Sequence, residues 1–367
     1  MAHHKLTGIQ LLRAVAACLV VFAHFGFSVE SYHAGYSYFA RVGFERLGGI
    51  GVDIFFVISG FIMVSSLEGR QDGPSAALQF LKRRALRIYP LYWIWTTVLL
   101  ALWISGLALK NHTDSTTYLV ASYFLWPIQN TDGIVHPFLD QGWSLIFEMF
   151  FYISLSICIA FKTGKTAIPV VAIAFIVAGY IADRFEINPS CQYLLNSPLL
   201  FEFLLGMVAG TVFIRLHAAT TLVIPTKLVK CMLLASIAGL IGSFFLRWNA
   251  PSVVTYGIPA SFMILSCALL KISEQNASIR VFTYLGNASY SIYLTHGFFT
   301  LAAGTLMKHG LGRQLNPDLI VVAGTVITIF VSAKTYTYVE VPLTRFFERR
   351  LLNARKALNQ SVKSPAP

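Results

Sequence analysis

Apolar runs long enough to cross the ~30 Å hydrocarbon layer of a bilayer recur along nearly the whole chain, separated by short polar segments. Ten of them read as spans: 6–27, 50–67, 88–109, 143–161, 166–183, 198–215, 231–247, 253–270, 284–307 and 318–339. The pattern predicts an all-α polytopic membrane protein with about ten transmembrane helices. One further apolar stretch, Tyr118 to Ile128, is too short to span and is expected to re-enter the membrane or lie along its surface.

Composition agrees with that pattern. Of the 367 residues, 56% are apolar and only 12% charged, about half the charge of an ordinary soluble domain, and the mean hydropathy is +0.66. The formal net charge of +12 could suggest nucleic acid, but the basic residues gather at the ends of apolar runs instead of forming one stripe, so the bilayer is the expected partner surface. Most of them fall in alternate connecting segments, which puts both termini in the cytoplasm. Val15-Ala16-Ala17-Cys18 resembles a lipoprotein cleavage box, but Arg13 interrupts the apolar region a secretory signal needs. The five cysteines, four of them within spans, suggest packing and no disulfide framework. Residues 1–347 read as one membrane domain and 348–367 as a polar cytoplasmic tail with the composition of disorder. Self-association is not readable, because lipid-facing and partner-facing apolar surfaces look alike.

Polar residues inside the spans carry the candidate chemistry, since a charge in hydrocarbon costs at least a few kcal/mol unless it faces a partner or a wet cavity. Arg13 and His24 are eleven residues apart in the first span, which on a helix places them on one face, ~16 Å apart along the axis. Asp53 begins the second span, where it either partners a base or caps its helix. Arg83, Arg84 and Arg87 precede the third span. Arg84 and Arg87 form a fork suited to phosphate, and the same run also fits anchoring to anionic lipid. Glu148 follows Trp143 and Ser144 near the start of the fourth span. His296 lies behind Ser289, Tyr290, Ser291 and Tyr293 on the polar face of the ninth, where interhelical hydrogen bonding is as good an explanation as a channel. No spaced His/Cys/carboxylate set suggests a metal.

Six local patterns stand in one order along Leu6 to Phe347. They are Arg13 with His24; Gly51-Val52-Asp53-Ile54-Phe55-Phe56-Val57-Ile58-Ser59-Gly60-Phe61; Arg84-Ala85-Leu86-Arg87 with Tyr89-Pro90; Trp143-Ser144-Leu145 with Glu148; Leu285 through His296; and Glu340-Val341-Pro342-Leu343. In this the chain resembles the acyltransferase-3 family of integral membrane acyltransferases, and within it the exopolysaccharide-modifying branch.

The resemblance implies transfer of an acyl group, acetyl by default, from cytoplasmic acyl-CoA to a hydroxyl of a cell-surface glycan or glycolipid. Imidazole suits proton acceptance near neutral pH, so His24 would be the general base or an acyl carrier. Asp53 would hold its tautomer, and Arg13 would contact the donor, the bland reading being that it snorkels to the surface. Arg83, Arg84 and Arg87 would hold the phosphates of the donor. Glu148 would act at the catalytic centre, pairing with a base or binding sugar hydroxyls, and with Trp143, Ser144, Tyr293 and His296 it would line the acceptor or donor path. Asn287 stands where many relatives carry Asp, which removes any role that needs a carboxylate there. No fused extracytoplasmic hydrolase domain is visible, so the membrane domain would finish transfer itself or pass the acyl group to a separate protein. The alternative from a different class is a secondary transporter or glycan translocase, with Arg13, His24, Asp53 and Glu148 as its relay.

Overall fold

The computed structural model describes residues 6–32, 37–67, 72–109, 115–163, 166–185, 187–219, 224–246, 248, 250–310 and 315–350. Every regular element among them is helical: α1 (Thr7–Glu30), α2 (Tyr38–Val42), α3 (Leu47–Leu67), α4 (Pro74–Ile104), α5 (Thr116–Tyr123), α6 (Trp143–Ala160), α7 (Ala167–Arg184), α8 (Pro189–Leu195), α9 (Leu199–Ala218), α10 (Thr226–Leu246), α11 (Ile258–Leu269), α12 (Ala277–Asn287), α13 (Ser289–Lys308) and α14 (Pro317–Thr335). Among the described residues, eight helical segments are long and apolar enough to cross a membrane. The chain is a polytopic membrane protein. The expected tail beyond residue 350 lies outside the described residues.

All ten predicted spans are helical, with informative differences. The eighth, 253–270, is a shorter apolar helix, Val253–Leu269, opened by a π turn at Val253–Gly257. The ninth, predicted from residue 284, starts at Ser289, because α12 ends at Asn287 and the chain turns at Ala288. The third starts well before residue 88: α4 opens at Pro74, a first-turn position where the missing proline N–H costs nothing, and runs through Arg83, Arg84 and Arg87. Hydrophobicity marks the part of a helix that lipid surrounds, not the part that is helical, so the basic residues lie on α4 instead of ahead of it. The short stretch near 118–128 became α5, laid along α4 by Tyr89 Oη, Tyr92 Oη and Trp93 Nε1, which donate to the carbonyls of Phe124, Ser122 and Tyr123 at 2.9, 2.9 and 2.8 Å.

Contacts between helices give their directions. Gly48 of α3 lies by His24 of α1, while Gly51 lies by Ala16 and Val20, so these two are antiparallel. So are α4 and α6, with Ser156 on the Ala77 carbonyl and Gly142 at the Tyr92 ring. By contrast, Ser28 Oγ donates to Thr300 O and Gly304 lies by Tyr32, which makes α1 and α13 parallel.

The α3–α9 seam is the closest. Gly206 and Gly210 of α9 are spaced G-x-x-x-G, the small-residue pattern that lets two helix backbones touch. A Cβ on Gly206 would overlap the Val57 carbonyl oxygen, and one on Gly60 would overlap Phe203 O. Since the obstacle is backbone on both sides, Gly206→Val is expected to destabilise by about 1–3 kcal/mol or more. Gly242→Val, on α10 where a Cβ meets nothing within 4 Å, serves as the neutral control. Thermal unfolding of the two variants in detergent checks the difference.

Candidate active site

A cleft opens between α1, α3, α4, α6 and α13. Arg13, Arg87, Glu148 and Tyr152 form its polar lining toward one end, and Ser144, Ser289, Tyr290 and Tyr293 complete it. Apolar side chains including Val52, Phe55, Phe56, Ile62, Met63 and Leu145 supply the rest. The helix directions explain the gathering. Arg13 is early in α1, Arg87 lies on α4 and Tyr152 is late in α6, so an antiparallel α6 returns to the level at which α1 and α4 enter.

At the arginine end, Glu148 accepts a hydrogen bond from Tyr152 Oη and another from Ser59 Oγ at 3.2 Å. The charges facing Arg13 are those of Arg87, Glu340 and Glu148. Glu340 accepts from Ser291 Oγ at 2.5 Å. Arg84 lies with its guanidinium 5.5 Å from the Phe80 ring and 5.6 Å from the Tyr152 ring, within cation–π distance of both. Arg83 does not join them. It is exposed and reaches back to Gln79 at 3.5 Å, because it sits ~100° around the helix from Arg84. Of the three predicted arginines, Arg87 lines the cleft and Arg84 lies against Tyr152, which lines it too.

At the other end, Ser144 Oγ and Tyr293 Oη are 2.6 Å apart, with the Phe55 ring 6.1 Å from that of Tyr293. One turn along α13, His296 meets His24 edge-to-face, ring centroids 4.7 Å apart. His24 Nδ1 lies 2.8 Å from Val20 O. A carbonyl only accepts, so this nitrogen carries the hydrogen and Nε2 keeps its lone pair, the tautomer a general base needs.

Asp53 takes a different neighbour from the one the sequence suggests. It is buried, with 4% exposure, and lies within hydrogen-bonding reach of Glu202 on α9. Glu202 also accepts from Ser252 Oγ at 2.8 Å. Gly51 faces α1, and Asp53, two residues and ~200° further round the same helix, faces away from it. Nor does Asp53 cap α3, which begins six residues earlier at Leu47. The pair ties α3 to α9.

Some residues of the site carried no sequence signal. His136 Nδ1 lies 2.5 Å from Asp140 Oδ1, and its ring stacks on Trp143 at 5.9 Å and 13°. Trp143 is thus part of an exposed platform beside the histidine pair. The i, i+4 spacing of His136 and Asp140 is visible in the chain, but nothing there places it near His24. Tyr152 was missed too, although it stands four residues after Glu148, one helical turn on.

The acyltransferase-3 family profile, described as an acyltransferase domain, matches residues 6–336. The exopolysaccharide production protein ExoZ of Rhizobium meliloti (strain 1021) is 32% identical over 318 residues, covering 84% of this chain and 93% of the relative. Acyltransferase MdmB of Streptomyces mycarofaciens is 26% identical over 352 residues, 85% of this chain and 84% of its own. The O-acetyl transferase of Shigella phage Sf6 is 28% identical over 194 residues, covering 50% and 55%. No solved structure matches. With the family profile matching residues 6–336, the chain belongs to the acyltransferase-3 family, enzymes that transfer acyl groups.

Proposed function

We propose that the protein moves an acyl group, acetyl in the first instance, from acyl-CoA on the cytoplasmic side to a hydroxyl of an extracytoplasmic polysaccharide or glycolipid, as an O-acyltransferase of a bacterial inner membrane. The observation that carries this reading is the continuity of one cleft, from Arg13 and Arg87 at one end to Ser144 and Tyr293 at the other, with His24 and His296 a turn beyond. Relatives named for exopolysaccharide production and O-acetyl transfer supply the expected acceptor and acyl group.

Coenzyme A presents a pyrophosphate and a 3′-phosphate, and Arg84 and Arg87 offer charge-assisted donors for them. The pantetheine arm then follows the apolar cleft wall past Arg13, which lies near the thioester's path. The donor is thereby held with its reacting carbon toward His24 and away from water. An acceptor hydroxyl arriving from the His24 end gives its proton to His24 Nε2 as its oxygen attacks the thioester carbon. The carbon–sulfur bond breaks, and the departing thiolate takes the proton back. Ser144 and Tyr293 hold the channel between the two ends until the donor arrives, and the His136–Asp140–Trp143 platform receives the sugar. Asp53 supports this centre through the fold, by its contact with Glu202.

Equilibrium binding of acetyl-CoA to the detergent-purified protein tests the donor assignment. Arg84→Ala/Arg87→Ala is expected to weaken binding at least tenfold, the loss of charge-assisted hydrogen bonds of about 1.5–3 kcal/mol each. Arg83→Ala is expected to bind like wild type. Equal weakening by all three substitutions would reassign the run to lipid anchoring.

A further inference from the structure

His296 is 0% exposed, and its Nε2 is a buried polar atom with no hydrogen-bond partner. Its Nδ1 lies 2.5 Å from Tyr293 O. As at His24, a carbonyl partner assigns the hydrogen to Nδ1, which leaves Nε2 a bare acceptor. Two imidazoles on parallel helices therefore meet, each with its hydrogen committed to its own backbone and its other lone pair free. A plain interhelical hydrogen bond would need a donor on one side, and the neutral pair has none to give. The arrangement becomes satisfied when one proton arrives. The centroid separation of 4.7 Å at an interplanar angle of 66° sets the His296 ring against the one that would carry it. The other ionisable groups facing the pair are Asp140, from the turn before α6, and Tyr293 on the same helix as His296. Asp140 is the group that would favour a single positive charge there.

We infer that His296 is a positioning residue for the transfer proposed above: its buried, unpartnered Nε2 stabilises the positive charge that the adjoining His24 ring gains with the proton of the acceptor hydroxyl. The proton is thereby held beside the reacting centre while the carbon–oxygen bond forms and the carbon–sulfur bond breaks. It then passes from His24 to the thiolate, and the pair returns to its neutral state. This rests on the reading of His24 as the base.

The test compares His296→Gln with His296→Leu in purified protein, following loss of the acetyl-CoA thioester in the presence of glucose oligosaccharides, together with the thermal unfolding midpoint. The amide oxygen of glutamine reaches the place of Nε2 and can accept, whereas leucine cannot. In an apolar bundle leucine is the better packer. The glutamine form is expected to keep turnover within about tenfold of wild type. The leucine form is expected to lose at least 100-fold, the scale of assistance to a general base, with KM for acetyl-CoA unchanged and its midpoint at or above wild type. His296→Met gives the same comparison if the leucine form fails to fold. Turnover by the leucine or methionine form within tenfold of wild type, or an equal fall in the glutamine and apolar forms, overturns the inference. His24→Ala in the same assay separates the two claims. If it is inactive while His296→Leu is active, only the role of His296 fails; if His24→Ala is fully active, or wild type shows no turnover, the underlying reading fails with it.

Discussion

His24→Ala is expected to abolish acyl transfer while the protein remains folded. Loss of a positioned base costs 10²–10⁴-fold in rate, and here it also removes the group against which His296 is set. The fold should hold because the packing of α1 rests on other residues. Ala14, Ala16, Ala17, Val20, Val21 and Phe25 are buried, and His24 is only half-buried, with its one hydrogen bond made to its own helix at Val20. Formation of labelled ester from radiolabelled acetyl-CoA, read beside the unfolding midpoint, checks both halves. A normal midpoint with no product is the expected pair of results; product formation at the wild-type rate would remove His24 from the mechanism.

Arg13→Leu is expected to have the second largest effect, through charge. Arg13 lines the cleft among the charges of Arg87, Glu340 and Glu148, and its guanidinium reaches Gln10 Oε1 at 3.4 Å. Leucine would leave the two carboxyl groups with Arg87 alone, in a region where an unmatched charge costs on the order of 1–3 kcal/mol or more. The variant should therefore unfold at lower temperature and lose turnover together. Adding Glu148→Gln should restore much of the stability and none of the activity, since the double variant removes the imbalance without returning the donor contact. Arg13→Lys should fold well yet remain slow, because a point charge cannot reproduce the planar guanidinium. If Arg13 only snorkelled to a membrane surface, the lysine and leucine forms would both remain active.

The helical architecture was legible from the chain because span length and apolarity are local properties. Boundaries were less so. The arginines on α4 looked like a stop to the third span, yet helicity continues through them from Pro74. Local spacing on a helix was readable only in part: Arg84 and Arg87 lie near Tyr152 and the cleft, while Arg83, expected to join them, is turned aside to Gln79. Pairings across the bundle were not readable. His24 with His296 and Ser144 with Tyr293 depend on which helices lie side by side and in which direction. Asp53 illustrates the difficulty most clearly. A carboxylate near a histidine suggests an orienting pair, but its rotation on α3 turns it to a second carboxyl group, Glu202, a pairing that charge patterning along a sequence disfavours.

The most direct test of the central claim is sidedness of transfer in liposomes holding oriented protein. Radiolabelled acetyl-CoA is supplied only on the face where Arg87 opens, and a hydroxyl-bearing oligosaccharide only on the face of His24. Label on the oligosaccharide, absent in His24→Ala and reduced in Arg84→Ala/Arg87→Ala, is the predicted result. Label appearing only when donor and acceptor share one face, or no consumption of acetyl-CoA by folded wild-type protein, would contradict a path running from the arginine end of the cleft to the histidine pair.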